Sequence, residues 1–233
     1  TEVSLIDPDF FLLSAGGIEI VTGWRVSLLV TPKADYVTDT FLRKHPLLQE
    51  VLCDPDLSDS TKQRLENGIR LLNREYFALL ALLELKYKYL IKQLRKKFRS
   101  LKMICHGYDY PIPSFDRGPW SRPKQRLIRM IGDHGRHFKQ PLLIKGIIDP
   151  QNQQDVAFSM LYLFNEMLQR LVKHPIFGEN VYLIDCRGYA RPQDWEDELH
   201  LRPESLKRVA ETYISCIRDE VPGQKIYFVR RDS

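Results

Sequence analysis

The sequence lacks long apolar runs, and its few cysteines are scattered. No stretch of about 18 consecutive apolar residues is present, so the sequence predicts no membrane span. The N-terminal residues also lack the basic stretch and apolar core that are typical of a signal peptide. The cysteines at positions 53, 105, 186 and 216 form no CxxC pair, which argues against a zinc module or a disulfide scaffold. These absences favour an intracellular protein with reduced thiols, without fixing the compartment.

Basic residues are in small excess over acidic residues. The 35 basic and 30 acidic residues give a net charge of +5, which is too small to indicate a nucleic-acid partner unless the basic residues cluster. One such cluster occupies positions 86–102, at the end of a predicted helix. A solvated helix end is the simplest interpretation. Binding of this cluster to an anionic membrane surface or to nucleic acid stays open as an alternative.

Several short apolar runs predict strands. With 233 residues and a hydrophobic fraction of 43%, the chain is expected to form a single globular domain. Apolar or alternating runs bounded by glycine and proline predict buried strands within 9–17, 101–105 and 181–185, and an edge strand at 225–230.

Amphipathic helices separate these strands. Ser60 is assigned as a helix cap, and apolar residues then recur every three or four positions, which predicts one long helix within a helical region at 31–100. Two more helices are predicted, at 153–172 and from Pro203. The last helix is expected to bury Leu206, Val209, Ala210, Tyr213, Ile214 and Ile217. Because strands and helices alternate, the sequence predicts an α/β fold with a mainly parallel sheet covered by helices.

Three segments at predicted strand ends resemble motifs of the SGNH, or GDSL-type, serine hydrolases. They are PDFFLLSAGGIEI from Pro8, MICHGYDYPIP from Met103, and VYLIDCRG from Val181 followed by WEDELHL. The resemblance spans nearly the whole chain, although residues 31–100 match only loosely. It implies one domain over 1–233 with a flavodoxin-like, doubly wound sheet and a helical insertion. It also implies cleavage of carboxylic esters through an acyl-enzyme, with no metal and no cofactor.

The same resemblance assigns the site residues. Asp197 and His200 match the acid and the base of the last motif, and their spacing suits a carboxylate that fixes the tautomer of an imidazole. The backbone of Gly16 and Gly17 would border the oxyanion, and His106 would line the substrate pocket. The alternatives are that Asp197 and His200 cap the last helix and that His106 has a structural role.

Two features depart from the family pattern. The family's nucleophilic serine belongs to a Gly-Asp-Ser block, which this chain lacks, and Ser4 and Ser14 lie too close to Gly16 to match it. Ile18 replaces an asparagine that donates to the oxyanion, and such a loss typically lowers turnover by about 10²–10³. We therefore expect either a hydrolase whose serine lies upstream, or an inactive relative that serves as a structural or partner-binding subunit. In both cases an N-terminal strand or a protein partner would complete the sheet.

Other polar residues receive structural interpretations. Asp133, His134 and His137, in the sequence GDHGRH, are too sparse a ligand set to predict a metal site. Asp185, at a strand end, is expected to fix the following turn. A run of acids in a loop is expected to be solvated; its members are Asp194, Glu196 and Glu198.

Overall fold

The computed structural model describes residues 7–21, 23–32, 37–113 and 137–231. Its strands are β1 (Phe10–Leu13), β2 (Lys102–His106), β3 (Val181–Asp185) and β4 (Ile226–Phe228). Its helices are α1 (Gly17–Val21), α2 (Trp24–Leu29), α3 (Asp39–Lys44), α4 (Pro46–Leu52), α5 (Asp59–Ile69), α6 (Arg74–Lys97), α7 (Lys139–Ile144), α8 (Pro150–Lys173) and α9 (Pro203–Ile217). In the described ranges, no helix has both the length and the apolar character needed to cross a lipid bilayer.

The strands form one parallel sheet in the order β1-β2-β3-β4. In the register of the sheet, Leu13 pairs with Cys105, and Cys105 pairs in turn with Leu183. On the other side of β3, Leu183 pairs with Ile226 of β4. Because all four strands run the same way, their carboxyl ends share one edge, where ligands bind in such folds. The predicted fold class, an α/β protein with a doubly wound parallel sheet, is confirmed.

Helices cover both faces of the sheet. Successive strand residues point to opposite faces. On the first face, Cys105 and Leu183 belong to a large core that they share with α5, α6 and α8. On the second face, Ile104 and Ile184 belong to a smaller core with Val209 of α9.

Helix α8 lies at the centre of the first face. Phe164 is fully buried there, and the helix also buries polar side chains, which are paired. Asp155 accepts a hydrogen bond from Nε of Arg64 at 3.1 Å. The hydroxyl of Tyr76 donates to the carbonyl of Met160 at 2.6 Å. Such pairing removes the cost of burying polar groups and fixes how α5 and α6 pack on α8.

The predicted long helix is in fact two helices, α5 and α6. The backbone N–H of Asn73 donates to the carbonyl of Leu29, and the Asn73 side chain accepts from the N–H of Tyr76. Asn73 therefore caps the start of α6 instead of continuing α5. The prediction of one helix is wrong because the apolar spacing continues across the break. The cap of α5 is Ser58, not Ser60.

Helix α9 begins with Pro203, as predicted, but it buries less apolar surface than expected. Its buried residues are Ser205, Val209 and Cys216. Three large apolar residues predicted to be buried, Leu206, Ile214 and Ile217, are 48%, 45% and 37% exposed. The smaller Ala210 is exposed too, so this part of the prediction is wrong. A helix that lies on a sheet buries one stripe of residues, and a second apolar stripe needs another partner. We call Leu206, Ile214 and Ile217 the outer stripe of α9.

Candidate functional site

A cavity of about 350 Å³ lies at the carboxyl edge of the sheet. Its walls come from the turn after β1, the loop after β2 and the segment that precedes α9. The lining residues include Ser14, Gly17, His106, Tyr108, Cys186 and His200. The fold thus brings Gly17, His106 and His200, which the resemblance assigns to one site, around the same cavity.

Asp197 and His200 are in direct contact. Oδ2 of Asp197 lies 2.7 Å from Nδ1 of His200. Oδ1 of Asp197 accepts the backbone N–H groups of Leu199 and His200, both at 2.8 Å, which fixes the carboxylate. A neutral ring that donates its Nδ1 proton to Asp197 keeps Nε2 as its basic nitrogen. The pair does not cap the last helix, because the N-cap of α9 is Arg202.

The surroundings favour an ionised Asp197 beside an accessible imidazole. Burial alone would raise the pKa of Asp197, but hydrogen bonds from the Leu199 N–H and from His200 outweigh it and hold the pKa below its ordinary value. The side chain of His200 is 63% exposed, and that of Asp197 is 43% exposed. A fixed carboxylate that holds an exposed imidazole is the arrangement that a general base requires.

Glu198 was predicted to be solvated, and this prediction is wrong, because the residue is 1% exposed. Its carboxylate accepts the backbone N–H groups of His137, Phe138 and Lys139, each at 3.0 Å. These N–H groups lie at the start of α7, where they have no partner within the helix. Sequence reasoning missed this contact because its partners lie about sixty positions away in the chain. Glu196, by contrast, is exposed as predicted. The prediction is also wrong for Asp194, whose side chain is only 14% exposed and accepts the N–H of Arg191.

The contacts of Glu198 place His137 beside the Asp197–His200 pair. The ring centroids of His137 and His200 lie 5.6 Å apart, with an interplanar angle of 79°. One potential ligand atom from each of His137, Asp197 and His200 lies within 4.8 Å of the other two. Asp133 and His134, the other polar residues of the GDHGRH sequence, lie outside the described residues.

Gly16 and Gly17 permit close packing next to the cavity. Gly16 has a φ of 93°, and a Cβ there would lie 2.7 Å from a ring carbon of Phe164. A Cβ at Gly17 would lie 2.6 Å from the ring of Tyr108. The N–H of Gly17 donates to the hydroxyl of Tyr108, which also lies 3.2 Å from Oγ of Ser14. The glycine pair therefore lets a tyrosine hydroxyl reach the cavity wall, a feature that no sequence motif indicated.

His106 joins the cavity wall to α9. Its Nδ1 lies 3.1 Å from the hydroxyl of Tyr213, and the two rings are stacked with centroids 5.9 Å apart. Burial lowers the pKa of His106 to about 4. The ring is therefore neutral at neutral pH, and it both lines the cavity and ties β2 to α9.

Asp109 and Asp185 fix the loops at this edge. Asp109 accepts the N–H groups of Gly188 at 2.6 Å and Ala190 at 2.7 Å, which ties the loop after β2 to the turn after β3. Burial raises the pKa of Asp109, against the effect of these bonds. Asp185 accepts the N–H of Arg187 at 3.0 Å and so fixes its turn, as predicted. The role of Asp109 was not anticipated from the sequence.

The chain matches no family model, no curated protein and no solved structure in comparisons with known proteins. Function is therefore inferred from the geometry around the cavity and from the motifs that resemble those of SGNH hydrolases.

Proposed function

We propose that this chain forms the part of an SGNH-type hydrolase that carries the Asp197–His200 dyad, and that this hydrolase cleaves carboxylic esters. The observation that carries the proposal is the 2.7 Å contact between Asp197 and His200 beside a cavity at the carboxyl edge of a parallel sheet. A carboxylate that orients an accessible imidazole is the base of a Ser-His-Asp mechanism. The cavity, of about 350 Å³, is of the size that small-molecule sites have.

The residues take defined roles in the proposed reaction. A serine from an upstream segment attacks the ester carbonyl while Nε2 of His200 accepts its hydroxyl proton. Asp197 orients the imidazole and stabilises its cationic form. The imidazolium then gives its proton to the leaving alkoxide, which departs as the alcohol. Water attacks the acyl-enzyme by the same steps, which releases the acid and regenerates the serine.

The proposed oxyanion position is bordered by the backbone of Gly16 and Gly17. Because the N–H of Gly17 already donates to the hydroxyl oxygen of Tyr108, the proton of that hydroxyl is a donor that can turn toward the substrate. Tyr108 would then replace part of the stabilisation that the family obtains from asparagine where this chain has Ile18.

Exposed apolar surface supports an additional segment beside β1. In the described part of the chain, β1 pairs with β2 alone, and its Leu12 is 54% exposed. The outer stripe of α9 is exposed as well. A strand that adds to β1, followed by a helix against α9, would bury both surfaces and would deliver a serine to the same edge of the sheet. An upstream segment of the same polypeptide or a separate protein partner would supply this unit.

Labelling with a fluorophosphonate tests the proposed mechanism. The natural polypeptide, including any residues that precede Thr1, is expected to be labelled and to hydrolyse p-nitrophenyl esters. His200→Ala is expected to abolish labelling and to lower turnover by about 10⁴-fold or more. His174→Asn is the matched control, because His174 accepts backbone N–H groups in the turn after α8 and has no assigned role in the reaction.

The alternative is a catalytically inactive relative that serves as a structural or partner-binding subunit. It is favoured by Ile18 and by the lack of a Gly-Asp-Ser block in this chain. Folded wild-type protein that neither reacts with the probe nor hydrolyses esters would support this alternative. A gain of turnover in Ile18→Asn would show that the substituted donor, and not the dyad, limits the reaction.

The exposed face of α6 favours an anionic membrane surface as a further partner. Leu82, Leu85 and Tyr89 are 47%, 63% and 66% exposed. Exposed basic residues continue the helix toward its end; they are Lys92, Lys96 and Lys97. Neither water nor nucleic-acid phosphate offers an apolar environment to exposed leucines. A lipid interface accommodates both the leucines and the lysines.

Co-sedimentation with phosphatidylserine vesicles tests this interface. The chain is expected to bind them, more weakly as salt rises, and less after Lys92→Glu, Lys96→Glu and Lys97→Glu are combined. Lys207→Glu, an exposed lysine on α9, is the control and should leave binding unchanged. Equal binding by the triple variant, or binding to RNA but not to vesicles, would contradict the membrane assignment.

The cysteines favour an intracellular setting for this hydrolase. Cys53, Cys105, Cys186 and Cys216 are all unpaired thiols. Burial raises the pKa of Cys105 to about 12 and raises that of Cys186, which makes both thiols unreactive. Unpaired thiols are typical of proteins from reducing compartments.

A further inference from the structure

We propose that His137, Asp197 and His200 together bind a divalent first-row transition cation, with zinc as its representative. One potential ligand atom from each residue lies within 4.8 Å of the other two. Imidazole nitrogen and carboxylate oxygen are ligands that zinc takes in proteins. The cation site shares Asp197 and His200 with the esterase reaction described above and adds His137, which that reaction does not use.

Two segments that are distant in the chain supply the ligands, and Glu198 holds them together. Glu198 lies between Asp197 and His200 in sequence, and its carboxylate accepts the backbone N–H of His137 itself at 3.0 Å. The hydrogen bonds of Phe138 and Lys139 to the same carboxylate fix the direction of the chain there. The backbones of all three ligands are therefore positioned before a cation arrives, which reduces the loss of entropy on binding.

The turn around Asp197 adds further rigidity to the site. The N–H groups of Glu196 and Asp197 both donate to the carbonyl of His200, and Trp195 forms a bridge with Leu201. Asp197 and His200 thus lie on a closed turn whose ends are paired.

The distances between ligands suit a cation after small side-chain movements. Zinc–ligand bonds of about 2.0–2.2 Å in a tetrahedral arrangement place ligand atoms roughly 3.3–3.5 Å apart. The Asp197–His200 contact, at 2.7 Å, would have to lengthen. The other ligand atoms, which lie within 4.8 Å of one another, would have to approach by side-chain rotation. The 63% exposure of the His200 side chain leaves a path for a hydrated cation. Three protein ligands leave a fourth position for water.

Occupation of this site has a consequence that rests on the proposed function. A cation held by Asp197 and His200 removes the imidazole from proton transfer, so it would inhibit ester hydrolysis. His137 would then determine sensitivity to the cation without taking part in the reaction. Binding itself does not depend on hydrolysis and can be measured in a protein without activity.

Calorimetric titration of the full chain with ZnCl₂ tests the site, and absorption of the Co²⁺ form reports its coordination. Wild-type protein is expected to bind one equivalent. His137→Ala and His200→Ala are each expected to weaken binding by at least about tenfold, since even substitutions beyond the metal ligands cost 10–100-fold. His174→Asn should bind as the wild type does. His137→Ala keeps the backbone N–H that Glu198 accepts, so loss of the fold is not expected there.

The proposal is overturned if wild-type protein binds no zinc at about 100 µM, a concentration far above the dissociation constants of built zinc sites. It is equally overturned if His137→Ala binds zinc as well as the wild type. In an active polypeptide, zinc should inhibit the wild type and leave His137→Ala at least tenfold less sensitive. Zinc binding by a natural polypeptide that shows no ester turnover would support the cation site and contradict the hydrolase, so the two failures are distinguishable.

Discussion

Helices α8 and α9 lie on opposite faces of the same sheet, and they are packed very differently. Helix α8 buries 16 of its 24 residues, whereas α9 buries 3 of its 15. The first face is closed by α5 and α6, which pack on α8. On the second face, the outer stripe of α9 and Leu12 of β1 remain exposed.

The difference in packing between α8 and α9 suggests that one face of the sheet stabilises the fold and the other carries the candidate site. The first face supplies the large core, and its polar side chains are paired inside the protein. The second face carries α9, whose Leu206 and Val209 line the cavity and whose Tyr213 contacts His106. This helix follows directly on the turn that holds Asp197 and His200. We therefore expect substitutions on the first face to lower the stability of the protein, and substitutions on the second face to affect the site.

The largest expected effect is on the first face, at Phe164. This side chain is fully buried in the large core, and Phe164→Ala is expected to lower the free energy of unfolding by about 3–5 kcal/mol. Ile214→Ala, in the outer stripe of α9, is expected to change it by less than about 0.5 kcal/mol. Urea denaturation followed by circular dichroism measures both values.

Equal losses of unfolding free energy in the two variants would contradict this difference, because the second face would then be as closely packed as the first. The slope of the unfolding free energy against urea should be similar in both proteins, since the same surface is exposed on unfolding.

A second expected effect is a loss of stability in acid at His106. Burial lowers the pKa of His106 from its usual 6.5 to about 4 in the folded state. Between these values the unfolded chain binds a proton that the folded chain does not, so stability is present above pH 6.5 and is lost as pH falls toward 4. The full contribution is roughly 3 kcal/mol.

The variant His106→Asn isolates this contribution. Asparagine keeps a polar group near the Tyr213 hydroxyl and has no proton to bind in this range. The difference in unfolding free energy between wild type and variant should change with pH between 6.5 and 4 and be constant above 7. A constant difference over the whole range would mean that the pKa of the His106 ring is the same in the folded and the unfolded protein.

Next in size is the effect of Glu198, which anchors the start of α7. Glu198→Ala leaves three backbone N–H groups without their charged acceptor and is expected to cost about 2 kcal/mol. Glu196→Ala, two residues earlier and exposed, is the matched control with an expected change below about 0.5 kcal/mol. Thermal unfolding measures the stability of both variants. Equal stability of Glu198→Ala and Glu196→Ala would contradict the anchoring role of Glu198.

The fold was largely predictable because each strand and most helices have a local signal. Alternation of short apolar runs with amphipathic stretches was enough to predict the parallel sheet, and the VYLID run coincides with β3. The break between α5 and α6 was missed because the partner of the Asn73 N–H is Leu29, far away in sequence. Hydrophobic spacing reports which side of a helix is apolar and does not report where the helix is interrupted.

The site was predictable only where its contacts are local. Asp197 and His200 are three positions apart, so their contact was expected and is present at 2.7 Å. Glu198 and Asp109 bind backbone N–H groups supplied by distant segments, and nothing in their neighbourhood distinguishes them from solvated acids. Buried carboxylates of this kind become visible only when the tertiary fold places unpaired N–H groups against them.

The smallest effect within this chain is expected on the outer stripe of α9. Ile214→Ser combined with Ile217→Ser should change the unfolding free energy of this chain by less than about 1 kcal/mol, because both side chains are already exposed. In a longer polypeptide whose upstream strand and helix cover α9, the same pair should cost about 1.5–3 kcal/mol for each isoleucine. Chemical denaturation of both polypeptides, with and without the substitutions, measures the difference. If the longer polypeptide tolerates the two substitutions as well as this chain does, the upstream segment does not cover the outer stripe, and the proposed strand-and-helix unit is contradicted in its helix.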